Sequence, residues 1–135
     1  MKASFVKSWI KSIQARKQRK YRHNAPLNIQ RRFLSVHLSK ELREKHKLRS
    51  MQIRKGDTIK VVRGDFKGKT GKVERVSPKY TKVFVDTIMV SKKDGSKQHK
   101  ALEPSNLIIT SLNLEDKKRT KRFERVQSKW VIWKD

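Results

Sequence analysis

The stretch RGDFKGKTGK, residues 63–72, combines glycines and lysines at a spacing that suggests phosphate chemistry. It is close to the nucleotide-binding P-loop G-x-x-x-x-G-K-[ST], in which backbone N–H groups and a lysine hold the phosphates. Only three residues separate Gly64 from Gly68, however, where a P-loop needs four. A P-loop also leads from a strand into a helix, whereas the run Lys72–Val76 predicts a second strand. The sequence therefore argues against an NTPase and favours a cationic turn between two strands.

Such a turn suits contact with a phosphate backbone. Glycine permits positive φ and a close backbone approach, lysine and arginine supply charge, and Phe66 offers a ring on which a base could stack. The glycines also suit a turn with a purely structural role, and we expect both roles. The loop residues that we predict to contact such a backbone are Arg63, Gly64, Phe66, Lys67, Gly68, Lys69, Gly71 and Lys72.

The overall charge indicates the same kind of partner. The chain of 135 residues holds 37 Lys and Arg against 12 Asp and Glu, a formal net charge of +25. Self-repulsion at this charge opposes compaction, and nucleic acid relieves it with release of counterions. The absence of cysteine excludes a disulfide framework. The four histidines lack metal-ligand spacing and carboxylates do not recur in pairs, so we expect no cofactor, no small-molecule substrate and no enzyme activity.

Charge is concentrated in the first third of the chain. Residues 1–50 carry a net charge of +13, and no acidic residue precedes Glu41. Basic residues between 16 and 33 are too dense for a stable helix face in water, and Pro26 favours an extended Ala25. Tyr21 and Phe33 lie among them, which fits phosphate contacts with base stacking, a solvated tail or a nuclear-import signal. Outside the loop, the predicted RNA-binding residues are Arg16, Lys17, Arg19, Lys20, Tyr21, Arg22, Arg31, Arg32, Lys40, Arg43, Arg49, Arg54 and Lys55.

The two ends of the chain carry apolar patterns of their own. Phe5, Val6, Trp9, Ile10 and Ile13 recur at helical spacing and predict an amphipathic helix. This helix could dock on a neighbouring protein, serve as a transit or membrane segment, or be disordered. Residues 115–135 form a charged tail, helix-prone through Arg125, whose terminal tryptophans we interpret as a docking patch.

Short β-branched runs in the middle third predict a small barrel. They span residues 57–63, 72–76, 81–86 and 107–110, and the pair Asp94-Gly95 predicts a further hairpin. A helix is expected at residues 39–46, capped by Ser39. The fold class is therefore mainly β: a long basic extension that contains short helices (1–50), a small barrel (51–114) and a short helical tail (115–135). No apolar run is long enough to span a membrane.

The run RKGDTIKVVRGDFKGKTGKVERV, residues 54–76, resembles a KOW motif, in which a strand, a glycine-centred loop and a second strand open an SH3-like barrel. The flanking segments NAPLNIQRRF, HLSKELREKHKLRSM, KKDGS, PSNLIIT and LNLEDKKR occur in the order and spacing of the archaeal and eukaryotic L26 ribosomal proteins, the universal L24 family. The resemblance covers roughly residues 16–122. Gln52, where the family often has proline, and the first 15 residues depart from it.

The resemblance implies a structural constituent of the large ribosomal subunit that binds rRNA near the peptide exit tunnel and supports subunit assembly and translation. It implies large-subunit rRNA and neighbouring ribosomal proteins as partners, and one copy per ribosome. The expected location is the cytoplasm, with nuclear and nucleolar transit in a eukaryote. The alternative is a KOW-containing transcription or ribosome-assembly factor that binds RNA transiently and would normally carry a second domain.

Overall fold

The computed structural model describes residues 4–132, and the side chains of residues 4–126. The helices are α1 (Ala15–Asn24), α2 (Leu27–Phe33), α3 (Lys40–His46) and α4 (Lys117–Ile132). The strands are β1 (Ser35–Leu38), β2 (Ser50–Gln52), β3 (Thr58–Val61), β4 (Thr70–Ser77), β5 (Lys82–Val85), β6 (Met89–Ser91), β7 (Lys97–His99) and β8 (Leu107–Ser111). Short 3-10 turns cover Lys7–Lys11 and Pro104–Asn106. No helix in this part of the chain is both long and apolar enough to cross a membrane.

Six strands form one sheet in the order β2-β1-β8-β3-β4-β5. All neighbours are antiparallel except β1 and β8, which run parallel. The register shifts between Thr58 and Ile59 and again between Val73 and Arg75, and such bulges bend a sheet and increase its twist. A bridge from Val83 to Leu102 continues the pairing beyond β5, while β6 and β7 form a separate hairpin.

The strands predicted from β-branched runs are confirmed, because β3, β4, β5 and β8 fall on those runs. Their alternate residues fill the core: Ile59, Val61, Val73, Val83, Val85, Leu107 and Ile109 are all 0–2% exposed. The predicted hairpin is also confirmed, with Gly95 at a φ of 81° in its turn. Helix α3 begins where expected, since the Ser39 hydroxyl accepts a hydrogen bond from the Leu42 N–H.

The fold combines helices with the multi-stranded sheet, and residues 15–33 are helical although their dense positive charge argued against a stable helix. Residues 15–33 form α1 and α2, and Ala25 between them is extended, as Pro26 predicted. Tertiary contacts stabilise these basic helices: Tyr21 and Ala25 are buried, and the Gln30 side chain donates to the Ala25 carbonyl at 2.9 Å. Strand β2 spans the predicted boundary at residue 50 and joins the sheet through β1.

The predicted amphipathic helix at the N-terminus is wrong within the described residues. Only the 3-10 turn Lys7–Lys11 forms, and the apolar stripe divides between two environments. Phe5 packs on Tyr21 at 4.9 Å between ring centroids, whereas Ile10 and Ile13 are 61% and 100% exposed. At the other end, α4 continues past the predicted helical stretch, and the side chains of Trp130 and Trp133 lie outside the described residues.

Candidate nucleic-acid interface

The glycine loop connects β3 directly to β4. The Gly68 N–H donates to the Val61 carbonyl at 2.8 Å, and the Val61 N–H donates to the Lys69 carbonyl at 2.9 Å, so the ends of the loop are closed like a hairpin. Gly64 and Gly68 have φ values of 93° and 90°, a region that favours glycine. The loop therefore enters a strand and not a helix, so it lacks the helix N-terminus on which a P-loop holds its phosphate.

Most of the loop's cations face solvent. The side chains of Arg63, Lys67, Lys69 and Lys72 are exposed, in a segment whose backbone is fixed at both ends. Phe66, which the sequence analysis assigned to base stacking, is half-buried against the core, and the Lys69 ammonium lies 5.1 Å from its ring centroid. The loop thus presents positive charge on a backbone that is held by hydrogen bonds at both ends. Its phenylalanine contributes mainly to packing.

Gly71 has a different role from the other two glycines. A Cβ atom added to it would lie 2.3 Å from Thr87 Oγ1 and 2.6 Å from the Val85 Cγ1 methyl group. Thr87 is held there, because its hydroxyl donates to the Thr70 carbonyl at 2.9 Å. Gly71 is therefore required for close packing of β4 on the segment after β5, whereas nothing lies within 4 Å of a Cβ at Gly64 or Gly68.

The basic helices α1 and α2 surround an aromatic cluster. Tyr21 is 5% exposed and lies between Phe5, at 4.9 Å, and Phe33, at 6.2 Å. Its ring is covered and does not face solvent for stacking on a base, so the sequence-based role of Tyr21 is corrected to packing. Phe33 is half-buried, and the Arg22 guanidinium lies 5.6 Å from its ring centroid.

The basic residues of the N-terminal third divide by exposure. Lys17 is half-buried, and its ammonium lies 6.0 Å from the Trp9 ring, as that of Lys20 does at 5.7 Å. Arg43 is half-buried because its Nε donates to the Leu38 carbonyl at 2.8 Å. The predicted residues that are exposed here are Arg16, Arg19, Lys20, Arg22, Arg31, Arg32, Lys40 and Arg49.

Arg54 and Lys55 follow β2 and lie near the C-terminal helix. Both are exposed, and Arg54 forms a salt bridge with Asp116, so it contacts protein as well as solvent. The hydrogen bond from Arg54 is the main reason why the pKa of Asp116 lies below its usual range. Any RNA contact by Arg54 therefore competes with its salt bridge to the carboxylate of Asp116.

A buried ion pair, Asp57 with Arg119, was missed by the sequence analysis. The two side chains are 0% and 3% exposed. Arg119 Nη1 and Nη2 donate to the two Asp57 carboxylate oxygens at 2.6 and 2.8 Å. Asp57 also accepts from the Arg54 and Asn113 N–H groups at 2.8 and 3.0 Å. The pair fastens α4 to the start of β3. The available signal was an aspartate at the start of an apolar strand.

Tyr80 and Arg75 were also missed. Tyr80 is 66% exposed in the turn between β4 and β5, with the Lys79 ammonium 5.2 Å from its ring centroid. Arg75 lies 4.3 Å from the centroid of the Phe84 ring. The signal for Tyr80 was an aromatic residue after a lysine in the short stretch, containing Ser77-Pro78, between two predicted strands. Within residues 4–132 the structure has no cluster of His, Asp or Glu able to hold a metal ion.

These features define a small, strongly basic sheet protein whose exposed cations suit a polyanion. The sequence profile of the eukaryotic L26 and archaeal L24 ribosomal proteins matches residues 12–126. The chain is 46% identical over 114 residues to the large ribosomal subunit protein uL24 of Methanosphaera stadtmanae, an alignment covering 84% of the chain and 97% of that relative. It is 50% identical over 114 residues to uL24 of Methanoculleus marisnigri, covering 84% of the chain and 94% of that relative.

The chain therefore belongs to the L26/L24 family of ribosomal proteins. The family expected from the KOW-like run and its flanking segments is confirmed, and the matched region is slightly longer than expected. Because this is a family of structural ribosomal proteins, the expectation that the chain is not an enzyme is also confirmed.

Proposed function

We propose that this protein is a structural constituent of the large ribosomal subunit, that it binds rRNA near the peptide exit tunnel, and that it supports subunit assembly and translation. The observation that carries the proposal is the identity to large-subunit uL24 proteins over almost their whole length. The exposed cations of the glycine loop and of the helices α1 and α2 support it, because phosphate contacts supply most of the affinity for nucleic acid. The alternative, a transient KOW factor, has no comparable support.

We further propose that the curved sheet is an SH3-like KOW barrel. The bulges in β3 and β4 and the Val83–Leu102 bridge support this, because closing a small sheet requires bending and pairing at its edge. Residues 1–50 form the basic rRNA-binding extension, 51–114 the barrel and 115–135 the tail. In this division the extension also supplies β1 and the first residue of β2 to the sheet, so its RNA-binding helices are held at a fixed position.

The predicted RNA-binding residues act mainly through phosphates. The exposed cations neutralise backbone charge and fix orientation, and such contacts carry no sequence information. The protein would be present in one copy per ribosome, between large-subunit rRNA and neighbouring ribosomal proteins. Its location is the cytoplasmic ribosome, after nucleolar assembly in a eukaryote.

A sucrose gradient of cell extract at about 0.5 M salt tests the proposal, because screening then acts within a few ångströms. We expect the protein to sediment with the large subunit, and its recovery at the top of the gradient would favour the transient factor. A tagged copy with Arg63, Lys67 and Lys69 changed to alanine should dissociate at lower salt. The matched control changes Lys92, Lys93 and Lys97 in the β6–β7 hairpin, which removes equal charge. Equal loss in both variants would show that net charge, and not the loop, determines retention.

A further inference from the structure

A groove separates the N-terminal helices from the turn between β4 and β5. It has a volume of about 680 Å³, and its wall includes Arg22, Phe33, Arg63, Tyr80, Lys82 and Glu103. This volume lies within the range of sites that hold small ligands, roughly 300–1,000 Å³. The groove brings together two of the predicted RNA-binding cations, one from α1 and one from the glycine loop, which are far apart in the sequence.

The charges of the groove favour an anionic occupant. Lys82 Nζ donates to Glu103 Oε1 at 2.8 Å. Glu103 is the carboxylate among the residues that line the groove, and its charge is neutralised by that of Lys82. The hydrogen bond from Lys82 holds the pKa of Glu103 below its usual range, and the charge of Arg22 adds to the effect. Within the described side chains, neither Arg22 nor Arg63 forms a salt bridge. Both guanidinium groups therefore remain available to a phosphate, which arginine binds through paired N–H groups.

Tyr80 supplies an exposed aromatic face at the same groove. Its side chain is 66% exposed, although a tyrosine ring carries a large apolar surface. The following residue, Thr81, has a φ of 54°, a conformation that β-branched residues rarely adopt. The Thr81 N–H donates to the Pro78 carbonyl at 3.3 Å and closes the turn. The backbone is thus held in an unfavourable conformation next to an aromatic ring at the groove, and such strain tends to persist at functional positions.

We propose that this groove binds one unpaired nucleotide of RNA, with its base stacked on Tyr80 and its phosphate bound by Arg22 and Arg63. The proposal rests on the RNA-binding function proposed above and names a site for it. A base inside a duplex cannot reach the ring, whereas an unpaired base can stack on an aromatic side chain. The groove therefore binds single-stranded RNA in preference to double-stranded RNA, while the exposed cations elsewhere bind both.

The test compares the full chain with Tyr80→Ala and Tyr80→Phe on two fluorescent probes, a short oligouridine and a blunt RNA duplex. Tyr80→Ala should weaken oligouridine binding by about 5- to 100-fold, as expected for one stacked base, and duplex binding by less than about twofold. Tyr80→Phe should bind as the original chain does. Leu114→Ala, which changes another exposed apolar side chain (43% exposed), is the control and should alter neither affinity.

The outcomes separate this proposal from the proposed function. Failure of the unmodified chain to bind either probe would overturn RNA binding itself. If it binds both and Tyr80→Ala leaves oligouridine affinity unchanged, or weakens both probes equally, the groove proposal alone is overturned. Displacement of oligouridine by an oligoglutamate peptide, with dependence on Tyr80, would assign the groove to an acidic peptide instead. Ultraviolet crosslinking should place a uridine adduct on the peptide that contains Tyr80, and an adduct only elsewhere would contradict the proposal.

Discussion

Arg119→Ala should destabilise the free protein strongly. The substitution removes the two hydrogen bonds to Asp57, and those from Nη1 to the Asn113 carbonyl at 2.9 Å and from Nη2 to the Gln52 carbonyl at 3.2 Å. It leaves the Asp57 carboxylate, 0% exposed, without its counter-charge. Breaking a buried pair on one side costs about 3–5 kcal/mol of unfolding free energy. Small domains have about 5–15 kcal/mol in total, so the midpoint of thermal unfolding should fall by roughly 10–20 °C.

Urea and thermal unfolding followed by circular dichroism measure the effect. Arg122→Ala is the matched control, because it removes an exposed arginine from the same helix and should change stability by less than about 0.5 kcal/mol. Arg119→Lys should recover little of the stability lost in Arg119→Ala, since an ammonium cannot reproduce the paired hydrogen bonds of a guanidinium.

A double-mutant cycle separates loss of the pair from loss of packing. The double variant Asp57→Asn, Arg119→Leu carries neither charge, so it should lose less stability than the sum of its single variants. A loss below about 1 kcal/mol in Arg119→Ala, or simple additivity in the cycle, would refute the reasoning that an unpaired buried charge is the cause.

Three further predictions concern packing, pH and salt. Gly71→Ala should cost about 1–3 kcal/mol in urea unfolding because its Cβ overlaps the Thr87 hydroxyl, and a neutral result would contradict this account. Burial, and then the charge of Lys45, lower the pKa of His46. The unfolded state therefore binds a proton more readily, stability should fall as pH drops below about 6.5, and His46→Gln should flatten this profile; an unchanged slope would exclude His46. If about eight phosphates are neutralised, log affinity for a structured rRNA fragment should fall against log salt with a slope near −7, and a slope near −2 would mean far fewer phosphate contacts.

The strands were predictable because their signal is local. A β-branched run between glycine or proline turns specifies a strand whatever surrounds it, and Ser39 specifies the start of α3 through its own side chain. The helices α1 and α2 were missed because their stability depends on distant contacts. Tyr21 meets Phe5 and Phe33, and the Gln18 side chain donates to the carbonyls of Trp9 and Ser12 at 2.9 and 2.7 Å. A charge count over residues 16–33 does not register these contacts, and Phe5, Trp9 and Ser12 lie outside that range.

In the candidate site, too, the type of a residue was predictable from the sequence, whereas its environment was not. The sequence identified which side chains carry positive charge, but exposure and internal partners decide which of them can reach a phosphate. Arg54 and Arg119 have the same side chain, yet Arg54 lies at the surface beside Asp116 and Arg119 is buried against Asp57. The glycines also differ by environment: Gly68 is needed for its positive φ, and Gly71 is needed because a Cβ atom would overlap neighbouring side chains.

The net charge of +25 opposes compaction of the chain, and one of its few carboxylates lies buried in an ion pair. The start of β3, the end of β2 and the helix α4 meet at the pair of Asp57 and Arg119, and Asp57 is one of 12 acidic residues. There the carboxylate accepts hydrogen bonds from two backbone N–H groups and from both Nη atoms of one guanidinium. The basic helix α4 is fixed to the sheet through the buried Arg119. The exposed cations of α1, α2 and the glycine loop take no part in this pair. One carboxylate thus joins three segments, and most of the positive charge stays exposed, as the proposed RNA binding requires.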